Sequence, residues 1–253
     1  MANGLHILPI TSIGEVTPGV DLAQAIYDAL KTQHLSLEHG DILVVTQKIV
    51  SKAEGRLVNM DEVQPSPFAQ SIAKQGNKDP QHVEVVLRET KRIVRMDHGV
   101  LVSETNHGFI CANAGVDESN INGVRQLALL PVDSDHSAQT LRTRLQALTR
   151  SDIELAIIIS DTWGRPWRNG QVNMAIGISG MHPLADYRGQ RDPYGYEMHA
   201  SVIAIADELA AAAELVMGKV DQVPVALIRG YSYTPAEGHI NELLRDSATD
   251  MFR

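Results

Sequence analysis

Apolar positions recur along the chain in two periods, and the switches between them predict its elements. "GLHILPI" reads as a first strand. "DLAQAIYDALKTQ" places Leu22, Ala25, Ile26, Ala29 and Leu30 at helical spacing. "GDILVVTQKIVSKAEGR" reads as a strand running into a polar loop. "DPQHVEVVLRETKRIVRM" reads as one helix with Pro80 near its start. "GVLVSET" and "GFICANAGV" read as strands joined by the turn signal "NHG". "SAQTLRTRLQALTR" predicts a helix capped by Ser137. The run opening "AIIISDTWGRPWRNG" is a strand, followed by a glycine-rich loop from 164 to 195. A helix near 203–217, a strand "VPVALIRG" and a helical end in "GHINELLRDSATDMFR" complete the pattern. Helices and strands mix, with at least one hairpin. The fold class is therefore α/β (mixed α+β), with mixed sheets rather than a doubly wound one.

Composition narrows the function. The chain has 253 residues, 43% of them hydrophobic, enough for one large domain or two small ones. A net charge of −9 argues against a nucleic-acid binder, which carries a basic stripe. It leaves room for phosphate ligands, which need only a local basic pocket or a metal. The one cysteine, Cys111, forms no intrachain disulfide and fits a reducing, cytoplasmic setting. "MANGLHILPI" lacks the basic and long apolar regions of a signal peptide. No apolar run approaches the roughly 18 residues of a membrane span. "VIAIADELAAAAELVMG" carries Asp207, Glu208 and Glu214 and reads as a core helix with a wet face.

The candidate chemistry starts at Asp161, where a greasy strand turns polar. Strand carboxyl ends are where α/β folds place ligands. A carboxylate beside the Thr162 hydroxyl offers two hard oxygens, suited to Mg²⁺ or Mn²⁺. On a helical turn, Arg165 and Arg168 would face one way and clamp an anion, with Gly164 and Gly170 allowing close backbone approach. The plainer alternative, at even odds, makes Asp161 a helix cap and the arginines solvated. Asp117 follows a strand-like run, with Asn120 three residues on. Alone it reads sooner as an Asx turn; converging with Asp161, it forms a two-carboxylate metal site that handles phosphates. Lys52, four residues before Arg56, is a surface charge or a point charge on a phosphate. "GISG" at 177–180 is a weak anion-turn signal.

Absences prune the field. There is no P-loop pattern; "MGK" at 217–219 lacks the rest of it. No nucleophile elbow and no zinc helix are present. His34, His39 and His182 read as surface residues, and Cys111 as a small core residue.

Taken in order, "GDILVVTQKIVSKAEGR", "ICANAGVDESN", "ISDTWGRPWRNG", "AIGISG", "DPYGYE", "ADELAAAAELVMGK" and "VPVALIRG" resemble the coenzyme F420-0:L-glutamate ligase family, also called F420-0:gamma-glutamyl ligase. The resemblance spans nearly the whole chain. It implies a GTP-dependent ligase that joins L-glutamate to the lactyl carboxylate of F420-0 and then adds γ-linked glutamate through an acyl phosphate. It implies Mg²⁺ or Mn²⁺, as two divalent ions, with K⁺ as a further ion and GTP as co-substrate. Residue by residue, Asp117, Asp161 and Thr162 match metal ligands. Lys52 and Asn120 match nucleotide contacts, as do Ile13, Gly14, Glu15 and Val16. So do Leu215, Val216, Met217, Gly218, Lys219, Val220, Asp221 and Gln222. Arg165 and Arg168 are taken, on charge and spacing, as catalytic contacts to the acyl phosphate or substrate anion.

The resemblance also implies an intertwined homodimer and two interleaved subdomains, neither P-loop nor Rossmann. The expected division is one ligase unit over 1–253, with lobe one at approximately 1–95 and 196–253 and lobe two at approximately 96–195. Small-molecule substrates (F420-0, L-glutamate and GTP) are the expected partners, with no nucleic acid and no membrane. Departures from the family pattern leave two alternatives standing. Lys219 stands where many relatives carry Gln or Glu beside a second metal, and an ammonium does not ligate a cation. Gln47 and Lys48 replace small hydroxyl residues, and Trp163 replaces a smaller polar one. The alternatives are an acyl-phosphate ligase with a different acceptor, and a non-catalytic nucleotide-binding relative.

Overall fold

The computed structural model of the chain describes residues 4–97, 99–121, 124–149 and 152–251. Its elements in chain order are β1 (His6–Ile10), α1 (Leu22–Thr32), β2 (Asp41–Thr46), α2 (Gln47–Ala53), β3 (Leu57–Asn59), α3 (Pro67–Gly76) and α4 (Pro80–Arg88). Then come β4 (Thr90–Asp97), β5 (Val100–Thr105), β6 (Ile110–Ala112), β7 (Asp117–Ile121), β8 (Val124–Ala128) and α5 (Ser134–Thr149). The chain continues through β9 (Leu155–Arg165), β10 (Arg168–Met181), β11 (Ala185–Asp186), β12 (Val202–Ile203), α6 (Ile205–Met217), β13 (Val225–Arg229) and β14 (Pro235–Ala236).

A six-stranded mixed sheet in the order β1-β13-β2-β9-β10-β14 forms the larger core. β2 and β9 are parallel, with Ile42 opposite Ala156 and Val45 opposite Ile159; the other pairs are antiparallel. Successive strand residues face opposite sides. Ile42 to Val45, Leu155 to Ile159 and Val225 to Ile228 are all fully buried, so helices cover both faces. α6 packs on β1, β13 and β10; α5, with α1 beside it, packs on β9 and β10.

A second core gathers Met60, from the 3-10 turn after β3, with Ile72, Val83, Val86, Leu101 and Leu127 from α3, α4 and the sheets β3-β8-β7 and β4-β5-β6. α1, α3, α4 and α5 start on side-chain caps: Asp21, Ser66, Asp79 and Asp133 each accept a backbone N–H of the first turn. Pro67 and Pro80 stand where a missing N–H costs nothing.

Several expectations are corrected. The polar stretch after β2 is a helix, α2. The helix expected over "DPQHVEVVLRETKRIVRM" stops at Arg88, where Glu89 caps it and the Thr90 hydroxyl bonds back to the Val86 carbonyl; the rest is β4. α5 starts three residues before Ser137, whose hydroxyl instead donates to the Asp133 carbonyl and to Glu54. Much of the expected loop from 164 to 195 is β10. The C-terminal stretch makes a short 3-10 turn, Ile240–Leu243, rather than a helix. "GISG" lies buried within β10, where a Cβ on Gly177 would stand 2.4 Å from the Ser134 carbonyl oxygen. Its glycine serves helix-on-strand packing, not an exposed turn. Residues 155–181 belong to the first core's sheet, while most of 57–95 joins the second core.

Candidate active site

Strand direction gathers the candidate segments. β1, β2 and β9 run the same way and β13 runs against them. The exits of β1, β2 and β9 and the entrance to β13 therefore share one edge of the sheet. Ile13 to Val16 follow β1 there, and α2 with Lys48 and Lys52 follows β2. The end of α6 and residues 218–222 lead into β13 at the same edge. The Thr46 N–H donates to the Pro224 carbonyl at 2.9 Å, closing β2 onto that entrance. Open sheets place ligands at such edges.

Asp161 reaches the edge on β9. Asp117 arrives from the second core, as the first residue of β7. Burial and then the negative charge of Asp117 push the Asp161 carboxyl up to about 7; the Thr162 N–H, Lys219 and Lys48 pull the other way. The Thr162 N–H donates to Asp161 Oδ1 at 2.7 Å. Cys111 reports the same convergence. Its thiol is pushed up to about 12 by burial first and then by Asp161, with Asp117 adding to it. That keeps it a core thiol rather than a nucleophile.

Two lysines flank the acids. Lys48 Nζ lies 3.6 Å from Asp117 Oδ2. Lys219 Nζ pairs with Glu214 Oε1 at 3.0 Å and donates to the Thr162 hydroxyl, which also meets the Asn173 amide oxygen. Gly218 makes this reach possible. It caps α6 at φ 59°, and a Cβ there would meet Asp221 Oδ2 at 2.3 Å.

The remaining candidates fall as follows. Val16 and Met217 are buried, Ile13 and Val216 are half-buried against the first core, and Gly14, Glu15, Leu215 and residues 218–222 are exposed. Lys52 shares a face of α2 with Lys48, four residues earlier. Asn120 pairs with Arg125 in β7; its side chain lies outside the described residues. Arg165 and Arg168 sit on no helical turn. They pair across the β9–β10 hairpin. Arg165 is four strand residues past Asp161, roughly 13 Å on. Its Nη1 is buried with no hydrogen-bond partner among the described residues, and Arg168 is exposed. The structure thus joins Asp117, Asp161, Thr162 and Lys219, and leaves the two arginines further along the hairpin.

The sequence profile described as F420-0:Gamma-glutamyl ligase matches residues 11–230. The chain belongs to the F420-0:gamma-glutamyl ligase family. It is 45% identical to the coenzyme F420:L-glutamate ligase of Methanothermobacter thermautotrophicus over 99% of both chains. It is 44% identical to that of Methanopyrus kandleri over 98% of both, and 42% identical to that of Methanocaldococcus jannaschii over 86% of both. Membership in this ligase family makes the chain an enzyme of the carboxylate–amine ligase class.

For a gamma-glutamyl ligase, the neighbours missed in the sequence matter as much as the acids. Lys48 stands out in the sequence only as a departure from the family pattern, and its contact with Asp117 emerges once β7 is folded against α2. Glu214 sits on the wet face of α6, and nothing in its spacing pairs it with Lys219. Its Oε2 is buried without a hydrogen-bond partner among the described residues. The donor set also bears on a metal. Among the described residues no three His, Cys, Asp or Glu side chains form a metal cluster. Mg²⁺ needs fewer, because one or two carboxylates plus substrate phosphates and water complete its shell. Two converging carboxylates, one of them burdened by the other's charge, fit such an ion. No helix among the described residues is long and apolar enough to cross a membrane.

Proposed function

We propose that the chain adds L-glutamate to the lactyl carboxylate of F420-0, then extends it with γ-linked glutamate, using GTP. The observation that carries this reading is the meeting of Asp117 and Asp161 between Lys48 and Lys219 at the ligand edge of the sheet. A carboxylate is a poor acyl donor because its charge repels nucleophiles. Transfer of the GTP γ-phosphoryl group to it makes an acyl phosphate and GDP. The glutamate amine then attacks the acyl carbon, phosphate leaves, and a proton is released as the amide forms. Such phosphoryl transfer depends on positioning and charge neutralisation.

Each residue has a task in this reading. Asp117, Asp161 and Thr162 would hold Mg²⁺ or Mn²⁺, and the ion would neutralise phosphate charge. Lys48 and Lys52 share one helix face and supply point charges toward the phosphates. Ile13 to Val16 and Leu215 to Gln222 border the nucleotide from either side. Arg165 and Arg168 act only if the hairpin bends over the substrate; Arg165 Nη1 is buried with no hydrogen-bond partner among the described residues and is the group with which to do so. The reading includes a homodimer. Trp167 at the hairpin tip and Val220 beside the site are 81% and 86% exposed, apolar surface that a second subunit would cover. A stable, active monomer in sedimentation would overturn that part.

The acyl phosphate has a direct test. F420-0 carrying ¹⁸O in its terminal carboxylate should deliver one label to the phosphate released with product. Product formed without labelled phosphate would show that the carboxylate is not phosphorylated.

A further inference from the structure

Lys219 stands between two cation-binding oxygens that belong to different elements. Its Nζ lies 3.0 Å from Glu214 Oε1, on the last turn of α6, and donates to the Thr162 hydroxyl on β9. The chain is shaped to place it there. Gly218 ends α6 at φ 59°, a left-handed turn that folds residue 219 back toward the helix end. The partial negative charge of a helix C-terminus favours a cation in that position. The Thr162 hydroxyl gives its own hydrogen to the Asn173 amide oxygen, so toward Lys219 it only accepts. A carboxylate and a hydroxyl whose oxygens meet at one point are donors suited to a hard divalent ion. Here an ammonium fills that point.

Charge decides how many ions such a site takes. Two divalent ions are expected of it, and two-metal sites hold them about 3.5–4 Å apart. Asp117 and Asp161 converge, which suits one ion. Thr162 keeps one lone pair for that ion after accepting from Lys219. The donors for a second ion are already engaged. Glu214, the carboxylate that α6 brings to this side, is paired with Lys219, and among the described residues no three His, Cys, Asp or Glu side chains form a metal cluster. A second ion would have to displace the ammonium or stand against its charge. The residues therefore fit one divalent ion and not two. The ammonium is also placed to act as a charge in its own right. Glu214 and Thr162 hold two of its three N–H groups, which leaves one for a phosphate oxygen. With Lys48 Nζ 3.6 Å from Asp117 Oδ2, a lysine stands on either side of the carboxylate pair.

We infer that Lys219 takes the place of the second divalent ion, so that the protein binds one metal ion per chain and supplies the other positive charge from its own side chain. The inference rests on the proposed function and adds the cation count and the part Lys219 plays in it.

The probe is Mn²⁺ together with GDP. Pure protein is dialysed to equilibrium against both, and bound ion and bound nucleotide are counted per chain. Wild type should hold one Mn²⁺ with each GDP. Lys219→Gln exchanges the ammonium for an amide oxygen at an exposed position, and it should hold two. Lys219→Arg, which keeps the charge, should hold one. Removing the carboxylate as well, in Lys219→Gln combined with Glu214→Gln, should return the count to one. Two Mn²⁺ ions roughly 4 Å apart should also broaden each other's EPR lines, a signature expected in Lys219→Gln and absent from wild type. A wild type that binds GDP with two Mn²⁺ would overturn this inference alone, because the lysine would then yield to the ion. A count of one in Lys219→Gln with GDP bound would also overturn it, because something other than Lys219 would exclude the second ion. A wild type that takes up neither GDP nor Mn²⁺ would overturn the proposed function and the inference with it.

Discussion

Asp161→Asn should abolish ligation and, in a metal-free protein, raise stability. Asp161 is held at about 7 by burial and by Asp117. An ordinary aspartate loses its proton near 3.8. The difference is about three pH units, and each is worth about 1.4 kcal/mol, so charging this group in the native state costs at most about 4 kcal/mol. Relaxation and water entry reduce this, and roughly 2 kcal/mol is the expected net penalty above pH 7. The sign follows from proton counts. Between pH 3.8 and 7 the unfolded chain has released a proton that the native state keeps, so native stability falls as pH rises through that window.

Asparagine removes the charge, keeps an oxygen for the Thr162 N–H, and can turn its amide toward Asp117. Thermal unfolding in chelator should therefore show the variant about 4–8 °C above wild type at pH 8, at ~2–4 °C per kcal/mol for a chain of this size. At pH 5, about one unit above the ordinary aspartate value, the gap should shrink to roughly a third, and it should close only below about pH 3.8. An equal shift at both pH values, or a lower Tm at pH 8, would refute the reasoning.

Other perturbations reach different parts of the account. Arg229 forks onto Asp41 with bonds of 2.8 and 2.7 Å and also binds Glu38 and the Ser36 carbonyl, while the Asp41 side chain is 1% exposed. Arg229→Ala should cost about 3–5 kcal/mol in urea unfolding, because it strands a buried charge; a loss under 1 kcal/mol would contradict this. Gly177→Ala should cost about 1–3 kcal/mol by forcing α5 off β10, and an unchanged Tm would show that the contact yields. Lys48→Met should weaken GTP binding about ten-fold, or ~1.4 kcal/mol, in a fluorescent-nucleotide titration, and equal affinity would remove Lys48 from the site. Mn²⁺ at about 100 times its Kd should stabilise wild type by about 2.7 kcal/mol, and it should leave Asp161→Asn nearly unmoved.

What could be read from the chain follows from how local each signal is. β1, α1, β2, β5, β6, α6 and β13 stand in their expected places because one apolar period fixes each. β4 was hidden because Ile93 and Val94 continue the apolar spacing of α4, and the break at Glu89 and Thr90 rests on a cap and one hydroxyl bond. β10 was hidden because Gly170, Gly177 and Gly180 spell a loop. At Gly177 and Gly180 the glycine instead lets Ser134 and Leu155 approach closely. Asp161 and Asp117 were each legible as oxygen donors. Their convergence was not, since it depends on β7 of one core folding against β9 of the other. Lys48 and Glu214 take their partners from segments 69 and 5 residues away, set by the same packing.

The most direct measurement is the reaction itself. Pure protein is incubated with F420-0, L-glutamate, GTP and Mn²⁺ or Mg²⁺, with Asp161→Asn alongside, and the products are read by mass spectrometry. Wild type should yield F420-0 bearing added glutamate, and the variant should yield none while remaining folded. A wild type that binds GTP yet leaves F420-0 unmodified, or a variant as active as wild type, would contradict the account.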